Sequence, residues 1–169
     1  MKVFTLLSLL LLSACGFTPM YGDQKNNQAQ ESSPLKPQFQ FNHIEIAVIP
    51  NREGQFLRNA LIDRFYTNGT PQNPTYELRI SPIREQIYDF DITPESEATR
   101  RQLRLSTDIA LIDLETKKPI LSRALTAIAS SNVLESEFST LVTEQYAREN
   151  ALNDLARQTE RQLSLYFIK

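Results

Sequence analysis

"RQLRLSTDIALIDLETKKPILSRALTAIASSNVL", residues 101–134, decides the fold. From 101 to 113, Leu103, Leu105, Ile109 and Leu111 fall on one parity, with Arg104, Ser106 and Asp108 on the other. A period of two marks a strand with one buried face. "LETKKP" (114–119) is a tight polar connection, and "ILSRALTAIASSNVL" (120–134) returns as a second strand, so the two predict one long hairpin. Upstream, "YELRISPIREQIYDFDI" (76–92) places Tyr76, Leu78, Ile80, Tyr88, Phe90 and Ile92 on one parity. That predicts a long strand, bent or bulged near Pro82, with Asp89 and Asp91 on the solvent side.

Two helices flank this unit. After a strand in "HIEIAVIP" (43–50), Phe56, Leu57, Ala60, Leu61 and Phe65 recur at helical spacing, with Asn51 as expected cap, Gly54 as a mild flaw in the first turn and Asn68-Gly69 as the stop. From Phe138 to Ile168, Leu141, Ala147, Ala151, Leu155, Leu163 and Tyr166 form a stripe that Ser139 or Thr140 would cap. The order β-α-β-β-β-α predicts an α+β fold: two helices packed on one face of a four-stranded, mostly antiparallel sheet, spanning 42–169 as a single domain.

The start of the chain has a different logic. Met1-Lys2 precedes an apolar run from Val3 to Leu12, the length of a signal-peptide core and short of the ~20 residues a membrane span needs. The order Leu12-Ser13-Ala14-Cys15 resembles a bacterial lipobox, in which the cysteine thiol takes a diacylglycerol, residues 1–14 are removed and the new amino group is acylated. Only a thiol forms that thioether, and two or more acyl chains give stable anchoring. Gly16 stands where Asp resembles an inner-membrane retention signal, so the outer membrane, facing the periplasm, is the expected location. Phe17, Pro19 and Tyr21 read equally as a spacer or as a contact. Residues 23–40, "DQKNNQAQESSPLKPQFQ", have too few apolar side chains to offset the entropy of ordering, so 15–41 is expected to be the lipidated start and a flexible tether.

Chemistry is sparse. Cys15 is the one cysteine, and its use for lipid excludes disulfides, thiolate metal sites and thiol catalysis. His43 has no second His or Cys with which to share a metal. The four glycines build no phosphate loop, and Gly-x-Ser-x-Gly is absent. An enzyme, a cofactor and a metal are therefore not expected. The formal net charge is −2, and removing Lys2 leaves 17 basic residues against 20 acidic, a net of −3. That balance argues against nucleic acid. Local cations remain: Arg100, Arg101 and Arg104 at the start of the third strand, and Lys117-Lys118 at the hairpin tip. They read either as a solvated turn and strand face or as an anion or partner contact, in which Arg104 could hold a phosphate bidentately.

"CGFTPMYG" (15–22), the helix segment "REGQFLRNALIDRF" (52–65) and the order of elements resemble the LptE family, the lipopolysaccharide-assembly lipoproteins of Gram-negative outer membranes. The resemblance spans the mature chain. It implies the same fold and a non-enzymatic role as plug and assembly factor of the large β-barrel LptD, which inserts lipopolysaccharide into the outer leaflet. It further implies lipopolysaccharide contact, carried by position alone onto Arg104, Lys117 and Lys118. The implied partners are an LptD-like barrel, lipopolysaccharide, and outer-membrane lipid through acylated Cys15. A stand-alone periplasmic lipid- or solute-binding lipoprotein is the alternative and would need a sizeable apolar pocket. A lipid-anchored hydrolase would need a nucleophile or metal set.

Overall fold

The computed structural model describes residues 41–67, 69–92, 98–133 and 136–168. The signal segment, Cys15, the leader residues Phe17, Pro19 and Tyr21, the tether up to residue 40 and Asn68 lie outside them.

The elements run β1 (Ile44–Ile46), α1 (Asn51–Phe65), β2 (Tyr76–Ile80), β3 (Arg84–Ile92), β4 (Ala98–Asp113), β5 (Pro119–Asn132) and α2 (Glu137–Phe167). The class is α+β, as the sequence predicts, with five strands rather than four. The extra strand arises where the stretch 76–92 breaks at Pro82. β2 pairs antiparallel with β4 from Tyr76↔Asp113 to Ile80↔Ile109, and β3 pairs with the same edge of β4 from Arg84↔Ser106 onward. Four steps from Ile80 to Arg84 thus face three from Ile109 to Ser106, which is a bulge. It is fastened on both sides: the Ser81 N–H donates to Asp108 O (2.9 Å), and the buried Thr107 hydroxyl donates to Ser81 O (2.7 Å). β5 runs along the other edge of β4, and β1 adds parallel to β2.

One extra residue reverses every later side chain. Leu78 and Ile80 lie over Leu111 and Ile109 in the core. Beyond the bulge Ile87 lies over Leu103, while Tyr88 and Phe90 pair with Gln102 and Arg100 on the opposite face. The expected shared parity of Tyr76 with Tyr88 and Phe90 is therefore corrected: both later aromatics are exposed on the open face. Asp89 in turn lies on the helix-bearing side, half-exposed, where it accepts from Arg101 Nε (3.0 Å).

Both helices cover one face. Leu57, Leu61 and Phe65 of α1 and Ala151, Leu152, Leu155 and Leu163 of α2 close over Ile44, Ile46, Leu78, Leu105, Ile109 and Leu111. Over β5 the buried side chains are small, Ala151 of α2 sharing the core with Ala127 and the half-buried Ala129, which lets α2 lie close to the sheet. The ends differ from expectation. Asn51 is no cap: it is the first residue of α1, at φ 68°, and Pro50 before it offers no side-chain acceptor. Ser136 caps α2, its hydroxyl accepting from the Ser139 N–H (3.4 Å).

β1 is shorter than predicted and is completed by a side chain. The Tyr66 hydroxyl donates to Ile44 O (2.9 Å) and accepts from Ile46 N (3.1 Å), doing for this edge what a further strand would do. Burial of that phenol raises its pKa above the usual 10.0.

α1 and α2 lie side by side and run in the same direction, with Arg64 Nη1 donating to Glu160 Oε2 (3.0 Å). At 15 residues α1 is half as long as the 31-residue α2. The start of β1, the 114–118 turn and the C-terminal end of α2 share one end of the sheet, where Tyr76 meets Phe167 at 5.5 Å. At the far end, formed by β3, the start of β4 and the end of β5, α2 alone among the described elements covers the sheet.

Candidate functional site on the open sheet face

The strands without helical cover present three aligned rows at the far end. Phe90, Arg100 and Asn132 form one, Tyr88, Gln102 and Ser130 the next, and Gln86, Arg104 and Ile128 the third. Phe90, Arg100, Gln102 and Ser130 line a shallow depression there. The Arg104 guanidinium lies over the Tyr88 ring, 5.7 Å from its centroid. Such stacking holds a planar guanidinium against an aromatic face and leaves its N–H edge outward.

Charge on this face is mostly cancelled pair by pair. Arg79 Nη2 donates to Glu77 (2.7 Å) and Arg84 Nη1 to Asp108 (3.1 Å). The carboxylate of Glu77 pushes the Arg79 pKa above its ordinary value. Arg100 and Arg104 have no carboxylate partner among the described residues. Two uncompensated guanidiniums beside two aromatic rings form a surface suited to an oxyanion carried on a partly apolar body.

Of the residues singled out from sequence, Arg104 stands on this face, as its parity requires. Arg101 does not. It bonds Asp89 and Glu144 on the helix side, and those two carboxylates, Glu144 foremost, raise its pKa. Lys117 and Lys118 are exposed in the β4–β5 turn, at the opposite end of the sheet. Nine residues of strand separate Arg104 from Asp113, roughly 30 Å at a strand's rise, so the lysines and Arg104 do not form one site. In the turn Lys117 adopts φ 58°, and Asp113 Oδ1 accepts from the N–H groups of Glu115 (2.9 Å) and Thr116 (2.8 Å). The Thr116 contact leads in depressing the Asp113 pKa. Reading by parity missed Tyr88 and Phe90, while Ser130 belongs to the small, polar fourth-strand surface, with Ser122, Ser131 and Thr126, that the sequence suggests for packing against a polar wall. The signal that could have found the two aromatics is Pro82, had its bulge been taken to reverse the parity after it.

No helix among the described residues is long and apolar enough to cross a membrane. Among the described residues a very small cavity, about 10 Å³, lies between sheet and α2 beside Ile87, Arg101 and Glu144, and a larger, open depression of about 450 Å³ lies beside Leu121, Leu165, Tyr166 and Ile168 at the end of α2.

No curated protein matches the chain. Solved structures share its fold. A lipoprotein of Caulobacter crescentus CB15 is 19% identical, with a TM-score of 0.61 over 78% of this chain and 95% of that one. A minor lipoprotein of Acinetobacter baumannii is 23% identical, with a TM-score of 0.58 over 75% and 94%. Rare lipoprotein B of Shewanella oneidensis is 8% identical, with a TM-score of 0.57 over 73% and 92%. At these identities the likeness speaks for the fold alone. The family model described as lipopolysaccharide-assembly, LptE, matches residues 41–163, from the residues before β1 to the last turns of α2. By that match, which covers well over half of its length, the chain belongs to the LptE family of lipopolysaccharide assembly.

Proposed function

We propose that this chain is an outer-membrane lipoprotein, anchored through acylated Cys15 after loss of residues 1–14, that faces the periplasm on a 15–41 tether. Its domain fills the lumen of an LptD-like β-barrel and assists lipopolysaccharide on its way to the outer leaflet. It makes and breaks no bond. The observation that carries this reading, beside family membership, is the open sheet face. A barrel lumen is polar, and β5 offers it a long run of exposed small or polar side chains, Ser122, Ala124, Thr126, Ser130 and Asn132. Arg100 and Arg104 sit at one end of that face. In lipopolysaccharide the matching groups are the lipid A phosphates, which exchange their divalent cations for guanidinium donors. The packing under the helices supports a plug over a carrier, since the cavity between sheet and α2, near 10 Å³, holds about one water and the larger depressions of 300–450 Å³ are open to solvent and do not enclose a lipid.

A photo-crosslinking residue placed at Ile128, exposed in the middle of the open face, tests the reading in cells. Crosslinking to lumen-facing positions of a large β-barrel protein is the expected result. Crosslinks to inner-membrane or soluble proteins instead would defeat it.

A further inference from the structure

The outer face of the first third of α2 has no partner among the described residues. Tyr146, Asn153 and Glu160 are spaced by seven, so they lie on one line along the helix. Asn153 and Glu160 on that line meet α1, in the groove shared with Phe56, Ala60 and Arg64 and through the Arg64 ion pair. Before about residue 147 the line continues with nothing over it among the described residues. There α2 carries Phe138, Leu141, Val142 and Tyr146, at helical spacing and 76%, 59%, 39% and 64% exposed. Ile87, 51% exposed on the helix side of β3, forms the floor beside Glu144 and Arg148. An apolar stripe of this extent on one helix face, with an apolar floor, marks a contact surface. By residue counts α2 is ~46 Å long and α1 ~22 Å, and with Arg64 level with Glu160 about 9 Å of α2 extends past the end of α1, so a berth of roughly 15 Å continues the line of α1, room for two to three helical turns.

Charge selects the occupant. The cations on the two walls of the berth are Arg101 and Arg148. Arg101 is held by Asp89 and Glu144, and Arg148 donates to both oxygens of Glu85 (2.8 and 3.0 Å). Glu137 has no ion pair among the described residues, and Glu149 accepts only from the Gln145 amide (2.8 Å). At the α1 end of the berth Arg52, exposed and without an ion pair among the described residues, is offset by its neighbour Glu53, so the free charge around the apolar stripe is negative. An anionic amphiphile or an anionic bilayer surface is repelled there, and so is the same surface of a second copy. We infer that the berth between β3 and the first half of α2 receives a basic amphipathic helix of a partner protein, lying end to end with α1. Its apolar side would meet Phe138, Leu141, Val142 and Ile87, and its Lys or Arg residues would meet Glu137 and Glu149.

This inference is independent of the open face on the other side of the sheet. A photo-crosslinking residue at Leu141 in the full-length lipidated chain, followed by mass-spectrometric mapping of the crosslinked peptide, tests it. The expected product is one protein segment with Lys or Arg flanking apolar residues at helical spacing. Charge reversal by Glu137→Lys with Glu149→Lys should lower its yield at least about fivefold without changing the far-ultraviolet circular dichroism of the purified chain. Crosslinks to lipid, to lipopolysaccharide, to a second copy or to a barrel strand, or no crosslink at all, would overturn the inference. The Ile128 crosslink reports on the plug reading separately, so either can fail alone.

Discussion

A methyl group added at Gly54 would meet Ile49 Cγ2 at 2.6 Å and the Ile49 carbonyl carbon at 3.0 Å. What reads in sequence as a flaw in a first helical turn is the point where the β1–α1 connection folds back on the helix. Gly54→Ala should therefore lose ~1–3 kcal/mol by overpacking, despite the better helix propensity of alanine. Urea denaturation measures it, and an unchanged midpoint would remove the argument. Asp113 makes a prediction in pH. Its carboxyl is depressed below 3.8 by the N–H groups of the turn, so its contribution is present above that value and lost as pH falls through the folded-state pKa. The stability advantage of the native chain over Asp113→Asn should be present at pH 6 and shrink as pH falls below about 4. An advantage that grows on acidification contradicts this assignment.

Among elements, α2 divides into a packed second half and a first half held by ion pairs. Leu155 is fully buried, and Leu155→Ala should cost about 2–5 kcal/mol. Leu141→Ser, on the same helix, should stay within about 0.5 kcal/mol, because the exposed leucine loses little contact. Equal effects would mean that the stripe is packed within the domain. Arg148→Gln, which weakens the clasp to Glu85, should raise amide exchange in residues 137–147 before it shifts the global midpoint. Sequence periodicity placed Leu141 on the buried stripe because it reports which side chains want cover. It cannot report that α1 is too short to supply it. The alternation of 101–113 was legible for the complementary reason that β4 is paired on both edges and its odd-numbered side chains pack under the helices. Pro82 announced a break. Whether an extra residue would flip Tyr88 and Phe90 depended on how β3 registers against β4, and that is a long-range fact.

For the whole molecule, the bulge at Ser81–Ile83 gives the two sides of the far end opposite characters. Aromatic rings with free guanidiniums stand on the open face, and an apolar stripe with free carboxylates stands on the helix side. The double variant Arg100→Glu/Arg104→Glu should bind purified lipopolysaccharide about tenfold more weakly, the equivalent of one charge-assisted hydrogen bond of ~1.5 kcal/mol, with an unchanged unfolding midpoint. Lys117→Glu/Lys118→Glu, at the opposite end of the sheet, serves as the comparison. An equal loss from the lysine pair would show that charge in general, and not this face, governs binding. The central claim, a lipid-anchored plug for a barrel, is tested most directly by copurification. A C-terminally tagged full-length chain is drawn from detergent-solubilised outer membranes, and the proteins that come with it are identified and quantified by mass spectrometry. One large β-barrel protein in roughly equal amount is the predicted result. The chain eluting alone, or with inner-membrane proteins only, would contradict the claim.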